Sequence, residues 1–454
     1  MKLLLIEPPK SALTIGGEDA FLFEPLALEY VAAGVAAEHD VRILDMRLDG
    51  DLPSALAKYQ PDIVGITSLT THVNTVRRLC DQVKRWNPRV VTVVGGHHAT
   101  VVPEDFHTPF IDLIVMGEGV FAFQEIVSRF ERGETFGRIP GVAFPRDGAL
   151  VKSEAAPLID LDAFPSPVRK LTAQYRAQYY SEWMKPLASM RTSKGCPHRC
   201  SFCALWKLTQ GRYLKRKPER VVEELAGIEE PYVFFADDES LVDAPRMKMI
   251  AHQIKEAGIR KRYFVYGRSD TIVRHPDLLE IWRDIGLERV FVGLEFFRDE
   301  DLNYISKGST VSDNEKAVQI LQDLGIEIYA SFIVRQEFGN EDFAALRSYC
   351  RRLRLSFATF STLTPLPGTD LHEQVCARML THDTDYFDFI HTLLPTRLPL
   401  KDFYEEYYRL YTEAIPLRRQ LALLKRYHLS DILPTLVRSR RLLARLRTAY
   451  QDYR

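Results

Sequence analysis

Short apolar runs alternate with helical stretches along most of this 454-residue chain, and that alternation limits its fold more than any other feature. The first third reads KLLLIEP, the helical PLALEYVAAGVAAEH, DVRILDM, the helical LPSALAKYQ, DIVGITSL, a helix from Val73 to Trp86, VVTVVGG and DLIVMGEG. A repeated strand–helix order predicts an open parallel sheet wrapped by helices. Such sheets bind ligands outside the carboxyl ends of their strands, where the strand order reverses. The polar and glycine-rich strand exits are Thr67–Ser68, Gly95–Gly96 and Gly117–Glu118–Gly119.

The pattern weakens after residue 138 into PGVAFPRDG, a hairpin signal, and the proline-bearing LIDLDAFPSP, so residues 139–187 read as a connector. It returns over 188–368 with LASMRTS, YVFFADD, RYFVYGR, RVFVGLE, IEIYASFIV and FATFSTLTPLP. Six strands with helices between them predict a partial α/β barrel. Residues 369–454 are helical and aromatic, then basic.

A formal net charge of −1 argues against a general nucleic-acid binder. No apolar run reaches the roughly 20 residues that cross a bilayer, and MKLLLIEPPK has neither the length nor the flanks of a signal peptide, so a cytoplasmic location is expected. Of six cysteines, three fall within eight residues. Cys80, Cys350 and Cys376 are scattered along predicted helices and read as buried apolar fillers, which leaves a reducing compartment and one metal site.

The clustered three follow Cys196-x₃-Cys200-x₂-Cys203. Three thiolates need a fourth ligand to complete a zinc tetrahedron, but they can bind three irons of a cubane and leave the fourth open. Gly195 permits a tight turn, and Phe202 can shield a cluster. A zinc knuckle using His198, or three core cysteines, are the alternatives.

RTSKGCPHRCSFC resembles the cluster loop of the radical S-adenosylmethionine (SAM) superfamily. FFADDESL, GRSD, GLEFFRDEDLNYISKG and LTPLPGTDL are similar to that family's later strand exits, whereas FIVRQEFGNEDF departs from the glycine-rich loop many relatives carry after the fifth strand. The resemblance implies a [4Fe–4S] cluster on the three cysteines, reductive cleavage of SAM, an electron donor of flavodoxin or ferredoxin type, and Asp238, Arg268 and Glu295 as polar contacts to SAM or substrate. Acids and arginines at strand ends also serve as loop anchors or helix caps.

The first 138 residues resemble the flavodoxin-like (Rossmann-type) cobalamin-binding domain that precedes the barrel in one subgroup, through EPLALEYVAAGVAAEHDVRILDM, DIVGITSLTTHVNTV, VVTVVGGHHATVVPEDF and VMGEG. This implies cobalamin contacts at Thr67, Ser68, Gly95, Gly96 and Gly117. The Asp-x-His-x-x-Gly segment that supplies an axial histidine elsewhere is replaced by EPPKSALTIGG, so cobalamin is expected without a protein histidine on its lower face, and His97 and His98 read as loop hydrogen-bonding residues. The rival is a scaffold that has lost cobalamin and merely caps the barrel.

LTHDTDYFDFIHTLLPTRLPLKDFYEEYYRLY, LWKLTQGRYLKRKPERVVEEL and VFFADDESL resemble hopanoid C-3 methylases. That implies methyl transfer to an unactivated carbon of a hydrophobic substrate, a hopanoid or another lipid. The rivals are oxidative cyclisation or rearrangement on the same architecture, and a cobalamin sensor or carrier with an inactive barrel. YFDFIHTLL and FYEEYYRLY suit either a greasy substrate or core packing. The tail from Arg418 to Arg454 carries ten basic residues against two acids, with leucines interleaved. It reads as a basic amphipathic helix for peripheral contact with an anionic membrane, or as a surface helix whose Leu442, Leu443 and Leu446 pack on the barrel.

Overall fold

Both sets of apolar runs become parallel sheets in the computed structural model, which describes residues 1–17, 21–416, 418–419 and 429–453. The chain forms two units, Met1–Thr14 with Glu24–Arg176 and His382–Phe387, and Ile15–Phe23 with Ala177–Thr381 and Asp388–Arg454.

In the first unit β1 (Lys2–Glu7), β2 (Asp40–Asp45), β3 (Ile63–Thr67), β4 (Val91–Gly95) and β5 (Leu113–Val115) run parallel in the order β2-β1-β3-β4-β5. Both faces of this sheet are covered, which is why its strands are continuous apolar runs. Leu4 and Ile6 enter one core beneath α2 (Leu52–Tyr59) and α3 (Val73–Trp86). Leu3 and Leu5 enter the other beneath α1 (Leu26–Ala33) and α4 (Gly119–Arg132). The architecture is flavodoxin-like, and α3 has the bounds its sequence predicts.

Residues 139–176, expected as connector, build onto this unit. The hairpin β6 (Val142–Arg146) and β7 (Ala149–Lys152) extends the sheet antiparallel to β5. Farther on, Arg169 and Arg176 donate to buried Glu24 at 2.7 and 2.6 Å, and the Thr172 hydroxyl donates to Glu29 at 2.5 Å. Apolar periodicity carries no signal for such a polar clamp.

In the second unit β8 (Leu187–Met190), β9 (Tyr232–Phe235), β10 (Arg262–Gly267), β11 (Leu287–Glu295), β12 (Glu327–Val334) and β13 (Ala358–Thr362) pair in sequence order, all parallel, as an open six-stranded (β/α) barrel. Strand alternation sorts its side chains. Phe235, Val265, Val292 and Phe332 join the core that also takes in α5 (Pro218–Ala226), α6 (Ala244–Glu256), α7 (Pro276–Asp284), α8 (Val311–Asp323) and α9 (Asn340–Arg352). Phe234, Phe264, Tyr266, Phe291 and Tyr329 form a separate lumen cluster. At the strands' amino ends the buried Arg289 pairs with Glu182 and Glu327 at 2.6 and 2.7 Å, and its guanidinium lies 4.6 Å from the Trp183 ring. This ionic layer closes the lumen floor.

Two alternatives at the carboxyl end resolve toward packing. In α10 (Leu400–Glu413) Phe403, Tyr404 and Tyr407 are wholly buried, and the Tyr407 and Tyr411 hydroxyls donate to the Phe360 carbonyl at 2.7 and 2.6 Å. In α11 (Leu429–Thr448) Leu446 is wholly buried while Leu442 and Leu443 pack half-buried on the same core, so these leucines are not a membrane face. The tail's residues 420–428 and 454 lie outside the described residues. No described helix is long and apolar enough to cross a membrane.

Cys80 and Cys350 are buried as expected, but Cys376 is not. It begins the short turn Cys376–Arg378 just past the helix Asp370–Val375, where the chain returns to the surface.

Burial, together with the neighbouring Glu24, pushes the Glu29 carboxyl up. Folded protein therefore holds this proton to higher pH than the unfolded chain, and stability falls as pH rises from 4.5 to about 8. Thermal melts across that range should show wild type losing melting temperature relative to Glu29→Gln, with the two converging below pH 4.5; a constant offset would exclude Glu29 as the source.

Candidate active site and cofactor-binding face

The cysteine loop leaves β8 and is fastened by two adjacent acids at the exit of β9. Asp237, wholly buried, accepts from the Thr192 and Ser193 amides at 2.7 and 2.8 Å and from the Thr192 hydroxyl at 2.7 Å. Asp238 accepts from the Gly195 amide at 2.6 Å. Gly195 has φ +89°, and a Cβ there would lie 2.1 Å from the Arg212 carbonyl oxygen, so only glycine fits. Behind it the Trp206 indole donates to the Cys200 carbonyl at 3.2 Å, and the Ser201 amide donates to that of Ile305 at 3.0 Å. Phe202 packs against the barrel core.

Burial pushes the Cys196 thiol up to about 11 and that of Cys203 up to about 12. Bare thiolates are disfavoured there, and bound iron would stabilise them. The neighbouring Cys200 pushes both thiols up further, and Cys196 adds to this at Cys203. Among the described residues no three His, Cys, Asp or Glu side chains gather where one metal ion could sit. Three thiolates on one loop suit a cubane, in which each cysteine would take a different iron and the fourth iron stays open, whereas a zinc tetrahedron needs a fourth protein ligand.

Arg268 follows β10, its side chain nearly buried. It donates to Asp270 at 2.9 Å, to the Lys307 carbonyl at 2.6 Å and to Cys200 Sγ at 3.8 Å. Glu295 ends β11 at φ +58° and pairs with the Lys307 ammonium at 2.5 Å, both buried. A Cβ at Gly293 would strike that pair, 2.3 Å from Glu295 Oε1. The structure thus brings Arg268 and Glu295 together through Lys307 and sets Asp238 under the cysteine loop.

The sequence reading missed Asp237, Lys307 and Glu239. Asp237 adjoins Asp238 in one acidic run, so only the strand's facing distinguishes them. Glu239 is buried, which pushes its carboxyl up to about 7; Oε1 accepts from the Arg268 amide at 3.3 Å, and Oε2 has no hydrogen-bond partner.

In the first unit the strand exits are knit by their backbones. The Ser68 amide donates to the Gly95 carbonyl at 2.8 Å, and Thr100 Oγ1 bridges the Gly96 carbonyl at 2.8 Å and the Gly117 amide at 2.9 Å. Gly96 has φ +100°, and a Cβ on it would lie 2.7 Å from both Ser68 N and Thr67 Oγ1. Thr67, Ser68, Gly95, Gly96 and Gly117 therefore form one rim at the carboxyl ends of the strands, where a side chain at Gly96 would strike the Thr67–Ser68 turn. His98 is buried, its ring nitrogens 3.2 Å from Thr70 Oγ1 and 2.8 Å from Asp105 Oδ2. With both nitrogens so placed it is a structural residue, and His97 is likewise engaged within the protein.

Residues 13–127 match the family model of the B12 binding domain, and residues 190–350 that of the radical SAM superfamily. The chain is 30% identical over 416 residues to the hopanoid C-3 methylase of Methylococcus capsulatus, covering 89% of this chain and 78% of that protein. It is 28% identical over 410 residues to the anaerobic magnesium-protoporphyrin IX monomethyl ester cyclase of Rubrivivax gelatinosus, covering 86% and 73%. The solved structure of the cobalamin-dependent S-adenosylmethionine radical enzyme OxsB, with aqua-cobalamin and S-adenosylmethionine bound, shares the fold with a TM-score of 0.72 over 90% of this chain and 66% of that one, at 16% identity. The protein is a radical SAM enzyme, and within that class it belongs to the cobalamin-dependent family. Its cofactors are a [4Fe–4S] cluster, SAM and cobalamin.

Asp237→Ala leaves three donors without their acceptor, at about 1–3 kcal/mol each. Iron per chain after reconstitution should fall well below that of wild type, with Asp237→Asn intermediate because one acceptor oxygen remains. Full iron loading of the alanine variant would show that the loop holds its shape without this anchor.

Proposed function

We propose that the enzyme transfers a methyl group to an unactivated carbon of a hydrophobic substrate, a hopanoid or another lipid. The carrying observation is the cysteine loop fastened at the carboxyl rim of a barrel whose lumen is lined by Phe234, Phe264, Tyr266, Phe291 and Tyr329. When bound, the cluster supplies the electron that splits SAM into methionine and a 5′-deoxyadenosyl radical, and cobalamin supplies the methyl group.

Cys196, Cys200 and Cys203 would hold three irons and leave the fourth for SAM. Asp238 keeps the loop in place through Gly195. Arg268 and the Glu295–Lys307 pair offer charge to the amino, carboxylate and ribose groups of SAM, and the low exposure of all three limits water near a radical. Thr67, Ser68, Gly95, Gly96 and Gly117 would bear cobalamin through backbone contacts. An electron donor of flavodoxin or ferredoxin type would reduce the cluster, and peripheral membrane contact fits a lipid substrate.

Similarity to the hopanoid C-3 methylase and the aromatic lumen support the apolar substrate. Similarity to the ester cyclase favours a second reading, oxidative cyclisation of a large planar substrate, because an aromatic lumen suits that equally.

Alanine at Cys196, Cys200 or Cys203 should abolish the brown colour and 5′-deoxyadenosine formation, whereas Gly96→Ala should lose cobalamin on gel filtration yet still cleave SAM. Retained SAM cleavage in any cysteine variant would sink the assignment. Anaerobic incubation with SAM, methylcobalamin and a lipid extract, read by mass spectrometry, should reveal a product heavier by one methylene; a product lighter by hydrogens would favour cyclisation.

A further inference from the structure

Helix α11 has an inner face committed to the barrel. Ile432 is buried with Trp183 and Phe264 at the lumen floor, Thr435 and Arg438 donate to the Glu182 carbonyl at 3.0 and 3.3 Å, and Leu446 is wholly buried. At 3.6 residues per turn these contacts rotate a different set of side chains outward. Leu433, Leu436 and Val437 are 56%, 50% and 44% exposed, and the stripe continues through exposed Arg440, Arg441 and Arg447.

The charge on this face has one sign. Of the five arginines between Ile432 and Thr448, Arg440, Arg441 and Arg447 lie on this exposed face, and that stretch of sequence holds no acid. Arg447 lies 3.7 Å from Glu405, but Arg440 and Arg441 have no ion-pair partner among the described residues.

We propose that this outer face is a docking surface for an anionic lipid bilayer, with Leu433, Leu436 and Val437 entering the headgroup boundary while Arg440, Arg441 and Arg447 bind lipid phosphates. Exposed apolar side chains beside exposed arginines on one helix face are the arrangement of interfacial helices, which lie in the membrane plane with the apolar side about 5–10 Å deep. A symmetric contact with a second copy would set like charges against each other. The face differs from the one the leucine spacing indicates: Leu442, Leu443 and Leu446 pack inward, and the apolar contact moves to the preceding turns. Because the same helix floors the aromatic lumen, docking would set that floor against lipid, a benefit that rests on the methyl-transfer reading although the docking itself does not.

The test is flotation of the reconstituted full chain with vesicles of phosphatidylcholine alone or of equal parts phosphatidylcholine and phosphatidylglycerol. Wild type should bind only the mixed vesicles, and binding should weaken as salt shortens the screening length below about 10 Å. Arg440→Gln with Arg441→Gln should lower the affinity about 25-fold, roughly fivefold per arginine. Leu433→Glu with Leu436→Glu should abolish binding; both pairs are exposed, so thermal melts should match wild type. Absence of wild-type binding, or equal binding by either double variant, overturns the proposal. So does a wild-type dimer in sedimentation that the glutamate variant loses, which would assign the face to a second copy. SAM cleavage measured without vesicles should be unchanged in both variants, and its absence from wild type would sink the methyl-transfer reading while leaving the docking result standing.

Discussion

Everything proposed for the radical chemistry depends on two neighbouring carboxylates at the end of β9. Asp237 takes three hydrogen bonds from Thr192 and Ser193, and Asp238 takes one from Gly195, so the loop's first turn is fixed before any metal is considered. A loop with three cysteines, closed at its base only by the short antiparallel pairing of Ser193–Lys194 with Leu214–Lys215, would otherwise sample many arrangements, and holding thiolates ready for iron requires that this entropy be lost on folding. Burial raises both carboxyls, yet the converging amides favour their charged forms. The chain thus accepts a desolvated acid pair in exchange for a rigid metal-binding loop.

A second electrostatic layer lies at the opposite end of the same strands. Arg289 sits between Glu182 and Glu327 under the aromatic lumen, with Trp183 against its guanidinium. Buried ion pairs stabilise little by themselves, but removing one partner leaves an uncompensated charge. Here the pairing ties three segments together: the turn before β8, the start of β11 and the start of β12. That pairing closes the amino ends of these strands beneath the aromatic cluster.

The carboxyl-terminal helices complete this closure from outside. Tyr407 and Tyr411 satisfy the Phe360 carbonyl at the barrel's last strand, and α11 caps the turn at Glu182. The aromatic spacing of α10 is therefore a packing code, and the lumen aromatics lie on the strands. Periodicity could not separate the two, because a core residue and a pocket residue on a helix have the same spacing.

By itself the sequence determined the two parallel α/β units, the strand order of the barrel and the grouping of Cys196, Cys200 and Cys203, because alternation of apolar runs and close cysteine spacing are local properties of the chain. It also placed the glycine rim at Gly95, Gly96 and Gly117, since strand exits follow directly from strand ends. Tertiary structure alone decided that Asp237 anchors the loop beside Asp238, that Lys307 joins Arg268 to Glu295, that residues 139–176 clamp onto the first unit through Arg169 and Arg176, and that α11 turns Leu433 outward and Leu446 inward. Each of these depends on which groups meet across tens or hundreds of residues, and hydrogen bonds and ion pairs of that kind leave no periodic trace in the residues that make them.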